Sequence, residues 1–216
     1  MSINIFKENE LIDLRSVNKI NSKKKILTRT SEKIKRIVFH CTDADGWTPE
    51  RLNRFFLEER KFPTCGYHYY VTKENVYQMV SPLVIAYHAS GHNSNSISFS
   101  IDFPASFYER LNISIDPTLY MQAVKTCAYL CLTHKIYPSK NTVLGHRELL
   151  GSGFIWVNAD HTKRALMKTC PGLTIDLDEF RLNVVKFIQS FFNLSEDGIF
   201  GPKSKEAFDN YILLNK

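Results

Sequence analysis

No stretch of this chain approaches the ~18 consecutive apolar residues that a membrane-crossing helix needs, so no membrane span is expected. Residues 1–30 also lack the apolar core of a signal peptide. Met1-Ser2-Ile3-Asn4 opens a polar, lysine-rich segment instead, and synthesis in a cytoplasm is the expectation. Cysteines are few, odd in number and widely spaced: Cys41, Cys65, Cys127, Cys131 and Cys170. That argues against a disulfide framework and for reduced thiols. Zinc-finger spacing and an aromatic-interleaved Arg/Lys stripe are both missing, so only charge points to nucleic acid, and no such partner is expected.

What is present is an ordinary globular composition, 44% hydrophobic and 23% charged. The length of 216 residues suits one domain with a small appendage, expected to be a monomer. The net charge of +6 favours anionic partners in general: nucleic acid, anionic lipid or anionic wall polymers.

Residues 1–32 read as a basic arm packing loosely on the rest, with Lys23-Lys24-Lys25 as a solvated charge run. Lys35 to His40 reads as a buried strand ending in His40. Thr48 and Pro49 start a helix as N-cap and first helical residue. Tyr67–Thr72 and Val76–Val80 read as a hairpin, and Ser96–Phe103 as a further strand. Pro117–His134 has helical spacing of apolar residues, and Asn141–Leu144 is a short strand leading to His146. Residues 151–167 read as a loop or insertion. Asp178–Phe192 and Ser204–Leu214 read as two helices around a glycine-containing turn. Strands alternating with helices predict an α/β fold: a central mixed β-sheet flanked by helices, with a small C-terminal helical appendage. The expected divisions are the arm at 1–32, a catalytic domain at 33–178 and a helical tail at 179–216.

Three distant pieces carry the chemistry. They are the strand ending in His40, the segment Gly145-His146-Arg147-Glu148, and Lys168-Thr169-Cys170-Pro171-Gly172. Two imidazoles and a thiolate suit zinc, and three protein ligands leave a fourth position open, as in catalytic sites. Such a zinc lowers the pKa of its water to about 7 and polarises a carbonyl.

In this order and combination the pieces resemble the zinc-dependent N-acetylmuramoyl-L-alanine amidases of the phage lysozyme and peptidoglycan-recognition-protein type. The resemblance implies one Zn2+ per chain, held by His40, His146 and Cys170. Gly66-Tyr67-His68 matches the family's Gly-Tyr-His motif, which implies catalytic assistance from Tyr67 and, two residues before the cysteine, Lys168. Tyr87-His88-Ala89 resembles the family's Trp-His-Ala and implies that His88 contacts substrate at the groove. Asn95 to Asp102 resembles Asn-x-x-Ser-Ile-Gly-Ile-Glu, with Ser100 for Gly and Asp102 for Glu, and implies substrate binding by Asn95. Asp197-Gly198-Ile199-Phe200-Gly201-Pro202-Lys203-Ser204 resembles the turn of a small helical peptidoglycan-binding module. The alternatives are a wall-binding tail or a structural cap.

The implied function is hydrolysis of the amide between N-acetylmuramic acid and the L-alanine of the stem peptide, with bacterial peptidoglycan as partner. The implied setting is a phage endolysin acting at the cell wall after release; an effector of a bacterial secretion system would look similar. A basic nucleic-acid-binding protein is a rival with only charge in its favour, and two further rivals stand beside the amidase reading. One is a peptidoglycan binder that does not cut, as in family members that lack the cysteine ligand. The other is a cysteine-nucleophile wall peptidase centred on Cys65 or an unmetallated Cys170. Cys41 follows His40 on a strand and is expected to face the other way, while Cys127 and Cys131 are expected in the core.

Overall fold

Ile37, Val38 and Phe39 are apolar in succession, so the strand that holds them has to be covered on both faces. It is β2 (Arg36–Cys41), and all of its residues from Ile37 to Cys41 are buried. The computed structural model describes residues 5–149, 155–157, 163–165 and 169–215. Around β2 lie β1 (Leu11–Asp13), β3 (Tyr69–Val71), β4 (Val76–Gln78), β5 (Ser96–Ile101) and β6 (Val143–Gly145), in the spatial order β1-β4-β3-β5-β2-β6. Only β3 and β4 pair antiparallel; the other neighbours are parallel, which makes the sheet mixed. The central mixed sheet with flanking helices is as the sequence predicts.

The helices are α1 (Pro49–Arg54), continued by a π turn over Phe55–Glu59, α2 (Ala105–Leu111), α3 (Pro117–His134), α4 (Leu177–Phe191) and α5 (Pro202–Leu214). Thr48 caps α1 by accepting from Arg51 N–H, with Pro49 at the first turn as expected. Asp116 caps α3 by accepting from Thr118 and Leu119 N–H, and Lys135 ends it in the left-handed conformation at φ 57°. α2 had no counterpart in the sequence reading. No described helix is long and apolar enough to cross a membrane.

Two expected boundaries do not match the packing. The arm is not loose: β1 adds a strand to the sheet edge, Phe6 is buried in the core, and the carboxylate of Glu10 accepts from Gln122 and Lys125 on α3. The three consecutive lysines are exposed, as expected. The line drawn at 178/179 cuts through α4, whose buried stripe Phe180, Val184 and Ile188 belongs to the same core as the sheet. The Phe180 ring lies 4.7 Å from Phe39, itself 4.7 Å from Phe99.

α5 continues from this helix through a turn knitted onto α4. Gln189 Nε2 donates to Asp197 Oδ1 (2.7 Å), Ile199 O (3.0 Å) and Ser204 Oγ (3.0 Å), and Gln189 Oε1 accepts from Gly198 N–H. Phe200 and Phe208 pack on Tyr137. The motif residues of the tail are thus engaged in holding its own turn. In the segment 151–167, described residues form a short hairpin, β7 (Ile155–Val157) against β8 (Lys163–Ala165).

Since α4 is core, Phe180→Ala is expected to cost about 3–5 kcal/mol, the range for emptying a buried aromatic site. Urea denaturation monitored by circular dichroism measures it. A cost under about 1 kcal/mol would mean that α4 is only appended.

Candidate metal centre and active-site cleft

β2 pairs in parallel with β6, Phe39 opposite Gly145, so the two strands deliver His40 and His146 to the same end of the sheet. Gly145 is needed for close approach, because a Cβ there would sit 2.5 Å from Leu177 Cδ1 and 3.0 Å from Pro171 Cδ. The next three residues form a 3-10 turn, His146–Glu148, and each has a task. His146 is buried at the centre. Arg147 donates from its backbone N–H to Cys170 O (2.9 Å) and from its guanidinium to the carbonyls of Gly172 and Ile175, which fixes the cysteine loop. Glu148 accepts from Gly145 N–H (2.9 Å) and pairs with Arg181 of α4 (2.8 Å).

The ligand atoms of His40, His146 and Cys170 all lie within 4.8 Å of one another, the one such group of three among the described residues. Cys170 Sγ is 3.6 Å from His40 Nδ1. Zinc bonds of about 2.0–2.1 Å to nitrogen and about 2.3 Å to sulfur, at the tetrahedral angle, put the two atoms roughly 3.5–3.6 Å apart. The donor set and the His40–Cys170 edge therefore fit zinc.

A hydrogen-bond chain sets the tautomer of His40. Ser96 Oγ donates to His92 O (2.6 Å), so it accepts from His88 Nε2–H (3.1 Å). His88 Nδ1 then accepts from His40 Nε2–H (3.1 Å), which leaves the lone pair of His40 Nδ1 facing Cys170. Burial, with the neighbouring His40, His68 and His146, keeps His88 well below the ordinary histidine value and hence neutral. His88, for which the resemblance implies substrate contact, lines the cleft, and its ring nitrogens are engaged with His40 and Ser96.

Behind His88, Arg29 pins the segment 81–96. Its buried guanidinium donates to the carbonyls of Pro82, Asn93 and Ser96 at 2.6–3.0 Å. Asn93 Oδ1 in turn accepts from His88 and Ala89 N–H. His68 is fully buried here, with Nδ1 accepting from Ser98 N–H (3.1 Å) and Nε2 donating to Val84 O (2.9 Å). Burial and the Arg29 charge pull it down to about 3.

The thiols divide sharply. Donation from the Cys41 thiol holds Cys170 well below the ordinary thiol value despite burial. Cys41 packs in the core on the helix side of the sheet, as strand alternation predicts, yet its sulfur lies only 3.9 Å from Cys170 Sγ. Cys170 sits over the strand end, where both faces are within reach. Cys65 is fully buried, and burial pushes its thiol up to about 12, which removes it as a nucleophile.

The cleft beside the candidate metal site has a volume of about 350 Å³ and is walled by Phe56, Arg60, Phe62, Tyr67 and Tyr87. The Tyr67 ring lies tilted against His40 at 5.0 Å, and burial together with the Cys170 charge keeps its phenol protonated. From the turn Asn93–Asn95 it is Asn93 that lines the cleft. Asn95, expected to bind substrate, ends the turn just before β5, where its carbonyl accepts from Lys35 N–H and its amide oxygen is buried. Lys168 and His161 lie outside the described residues. A larger cavity of about 870 Å³, between Ser31–Lys35 and Thr133–Thr142, holds none of the ligand side chains.

Two outcomes follow. His88→Ala removes the partner that orients His40 and is expected to weaken zinc binding roughly 10–100-fold, read by competition with a chelating dye; unchanged affinity would contradict the relay. For His68, the unfolded ring titrates near 6.5 and the native ring near 3, so the unfolded chain gains a proton first as pH falls. The ring's stability contribution is complete above about pH 6.5. About 2 kcal/mol of it is lost at pH 5. Urea denaturation at pH 7 and 5 should show a smaller loss in His68→Gln than in the unaltered protein; equal losses would contradict the assignment.

The sequence profile of the N-acetylmuramoyl-L-alanine amidase family matches residues 30–173. No curated protein matches the chain by sequence. Among solved structures, the fold is similar to the N-acetylmuramoyl-L-alanine amidase LysC from Clostridium intestinale URNW, with TM-score 0.53 and 16% identity over 86% of this chain and 98% of that one. The Ph2119 endolysin from the Thermus scotoductus MAT2119 bacteriophage Ph2119 gives 0.57 and 16%, over 81% and 98% of the two chains. Drosophila peptidoglycan recognition protein SD gives 0.56 and 17%, over 88% and 98%. At these identities the structures speak for the fold alone, and the profile match over most of the chain speaks for the family. The chain belongs to the N-acetylmuramoyl-L-alanine amidase family.

Proposed function

We propose that this protein is a zinc-dependent hydrolase of peptidoglycan that cleaves the amide between the lactyl group of N-acetylmuramic acid and the L-alanine of the stem peptide. The observation that carries the reading is the convergence of His40, His146 and Cys170, with His40 Nδ1 and Cys170 Sγ at the 3.6 Å spacing of a tetrahedral zinc edge. A family member that only binds the wall has no need of the cysteine donor, so retention of Cys170 favours catalysis. The fold shared with phage endolysins supports action at the bacterial wall after release from inside the cell.

When bound, zinc supplies a Lewis acid for the scissile carbonyl and an acidified water at neutral pH. The chain's own groups do the rest. His88 and Ser96 hold His40 in the tautomer that presents Nδ1. Arg147 holds the loop that presents Cys170. Tyr67, a neutral phenol beside His40, donates a hydrogen bond to the oxygen on which negative charge develops. Lys168, two residues before the cysteine, is assigned to the same oxyanion. The alanine nitrogen gains a proton and leaves as an amine. The aromatic wall of the cleft suits the apolar faces of a sugar and lactyl group, and Arg60 suits the carboxylates of the stem peptide.

The test is release of new L-alanine amino termini from purified peptidoglycan, with zinc per chain measured on the same samples. About one zinc is expected, with release that stops on chelation and returns with added zinc. Cys170→Ser should lose zinc and release together, while Lys168→Ala should keep zinc and slow release by about 10-fold or more. Release that survives chelation would overturn the reading. Zinc without release would favour a wall-binding protein.

A further inference from the structure

Cys41 is not part of the donor triad, yet its backbone N–H donates to Cys170 Sγ at 3.4 Å and its own sulfur lies 3.9 Å away. All five cysteines are free thiols. Cys41 is 7% exposed, while Cys65, Cys127 and Cys131 are fully buried; Cys170 alone is partly open. An oxidant therefore meets Cys170 first, and the nearest thiol able to answer is Cys41. We infer that Cys41 and Cys170 form a reversible redox site, in which a hydroperoxide turns the metal ligand into a Cys41–Cys170 disulfide once zinc is absent. The pairing rests on geometry alone. Its consequence, loss of metal binding, rests on the reading of Cys170 as a ligand.

The chemistry balances in two steps. The Cys170 sulfur attacks one oxygen of hydrogen peroxide; the O–O bond breaks, Cys170 becomes a sulfenic acid, and one water leaves. The Cys41 sulfur then attacks the Cys170 sulfur; the S–O bond breaks, the departing oxygen takes the Cys41 proton, and a second water leaves. Peroxide is reduced by two electrons and the two thiols are oxidised by two. The sulfurs have to close from 3.9 Å to about 2.0 Å. The two residues sit on separate segments, the end of β2 and the loop held by Arg147. Cys127 and Cys131, by contrast, lie one turn apart on α3 with both thiols fully buried. Zinc protects the site, because the Cys170 lone pair is then engaged. Once the disulfide forms, the triad has no thiolate and zinc cannot return until a dithiol reduces the bond.

The full-length protein, stripped of metal by chelation and treated with hydrogen peroxide, is to be digested with trypsin without reductant. Cleavage after Arg36, Arg51, Lys168 and Arg181 isolates Cys41 in peptide 37–51 and Cys170 in peptide 169–181. The two peptides are expected joined, lighter by two hydrogens than their sum, and dithiothreitol with zinc should restore one zinc per chain. The zinc-loaded protein should resist the same treatment. In Cys41→Ser, Cys170 has no resolving partner, proceeds to the sulfinic acid, and zinc binding does not recover. Unlinked peptides from the unaltered protein, linkage of Cys170 to Cys65, or full zinc recovery in Cys41→Ser would each overturn the inference. The peptide map of the unaltered protein decides the matter even where the variant fails to fold. Failure of the amidase reading shows separately, as zinc-loaded protein that releases no alanine termini whatever the state of its thiols.

Discussion

Everything at the site depends on the parallel pairing of β2 with β6. It brings the carboxyl ends of two strands side by side, and so places His40 and the turn that begins at His146 within one donor triangle. Ligand sites at the carboxyl ends of parallel strands follow from this geometry in open α/β sheets generally. The third donor comes from a loop that belongs to no strand, and it is secured by the residue next to the second donor. Arg147 spends its backbone N–H and its guanidinium on the loop from Cys170 to Ile175. Glu148 ties the same turn to α4 through Arg181. The Gly-His-Arg-Glu segment is therefore a joint between strand, cysteine loop and helix as much as a source of one ligand.

Around the ligands the polar residues are arranged in shells, and each shell is closed by backbone. Ser96 is committed to the carbonyl of His92, which makes it an acceptor for His88, and that in turn makes His88 an acceptor for His40. The direction of the proton chain is thus set by a carbonyl three hydrogen bonds away from His40. Arg29 performs the same service for the segment that carries His88: a buried cation satisfied by main-chain carbonyls across residues 82–96. An unpaired buried charge would be costly, and these bonds are what make its burial tolerable.

Much of this was legible in the sequence, and the remainder was hidden for identifiable reasons. The three candidate ligands sit in short, contiguous motifs, so His40, His146 and Cys170 are legible in the sequence, and the structure brings them together. The mixed sheet followed from apolar runs such as Ile37 to Phe39. The arm reads as loose because Phe6, Glu10 and Arg29 are isolated in a polar stretch, and a three-residue strand such as β1 has no period to detect. α2, with seven residues, is equally short of a pattern. α4 reads as a helix in the sequence, but the Asp197–Ser204 motif that follows it suggests an appendage, whereas its stripe Phe180, Val184 and Ile188 belongs to the core. Alternation correctly turned Cys41 away from His40, but it says nothing about a loop that caps the strand end and touches both faces. Which asparagine of Asn93-Ser94-Asn95 faces the cleft is decided by a single 3-10 turn, beyond the reach of a motif match.

The central claim is a zinc site with three protein donors, of which one is sulfur. Zinc K-edge X-ray absorption on the loaded protein tests it most directly. The account predicts one sulfur at about 2.3 Å and three nitrogen or oxygen neighbours at about 2.0–2.1 Å, two of them imidazole. A shell with no sulfur would remove Cys170 from the site. A shell with two sulfurs would bring Cys41 onto the metal and close the position that hydrolysis needs, and either result would contradict the account.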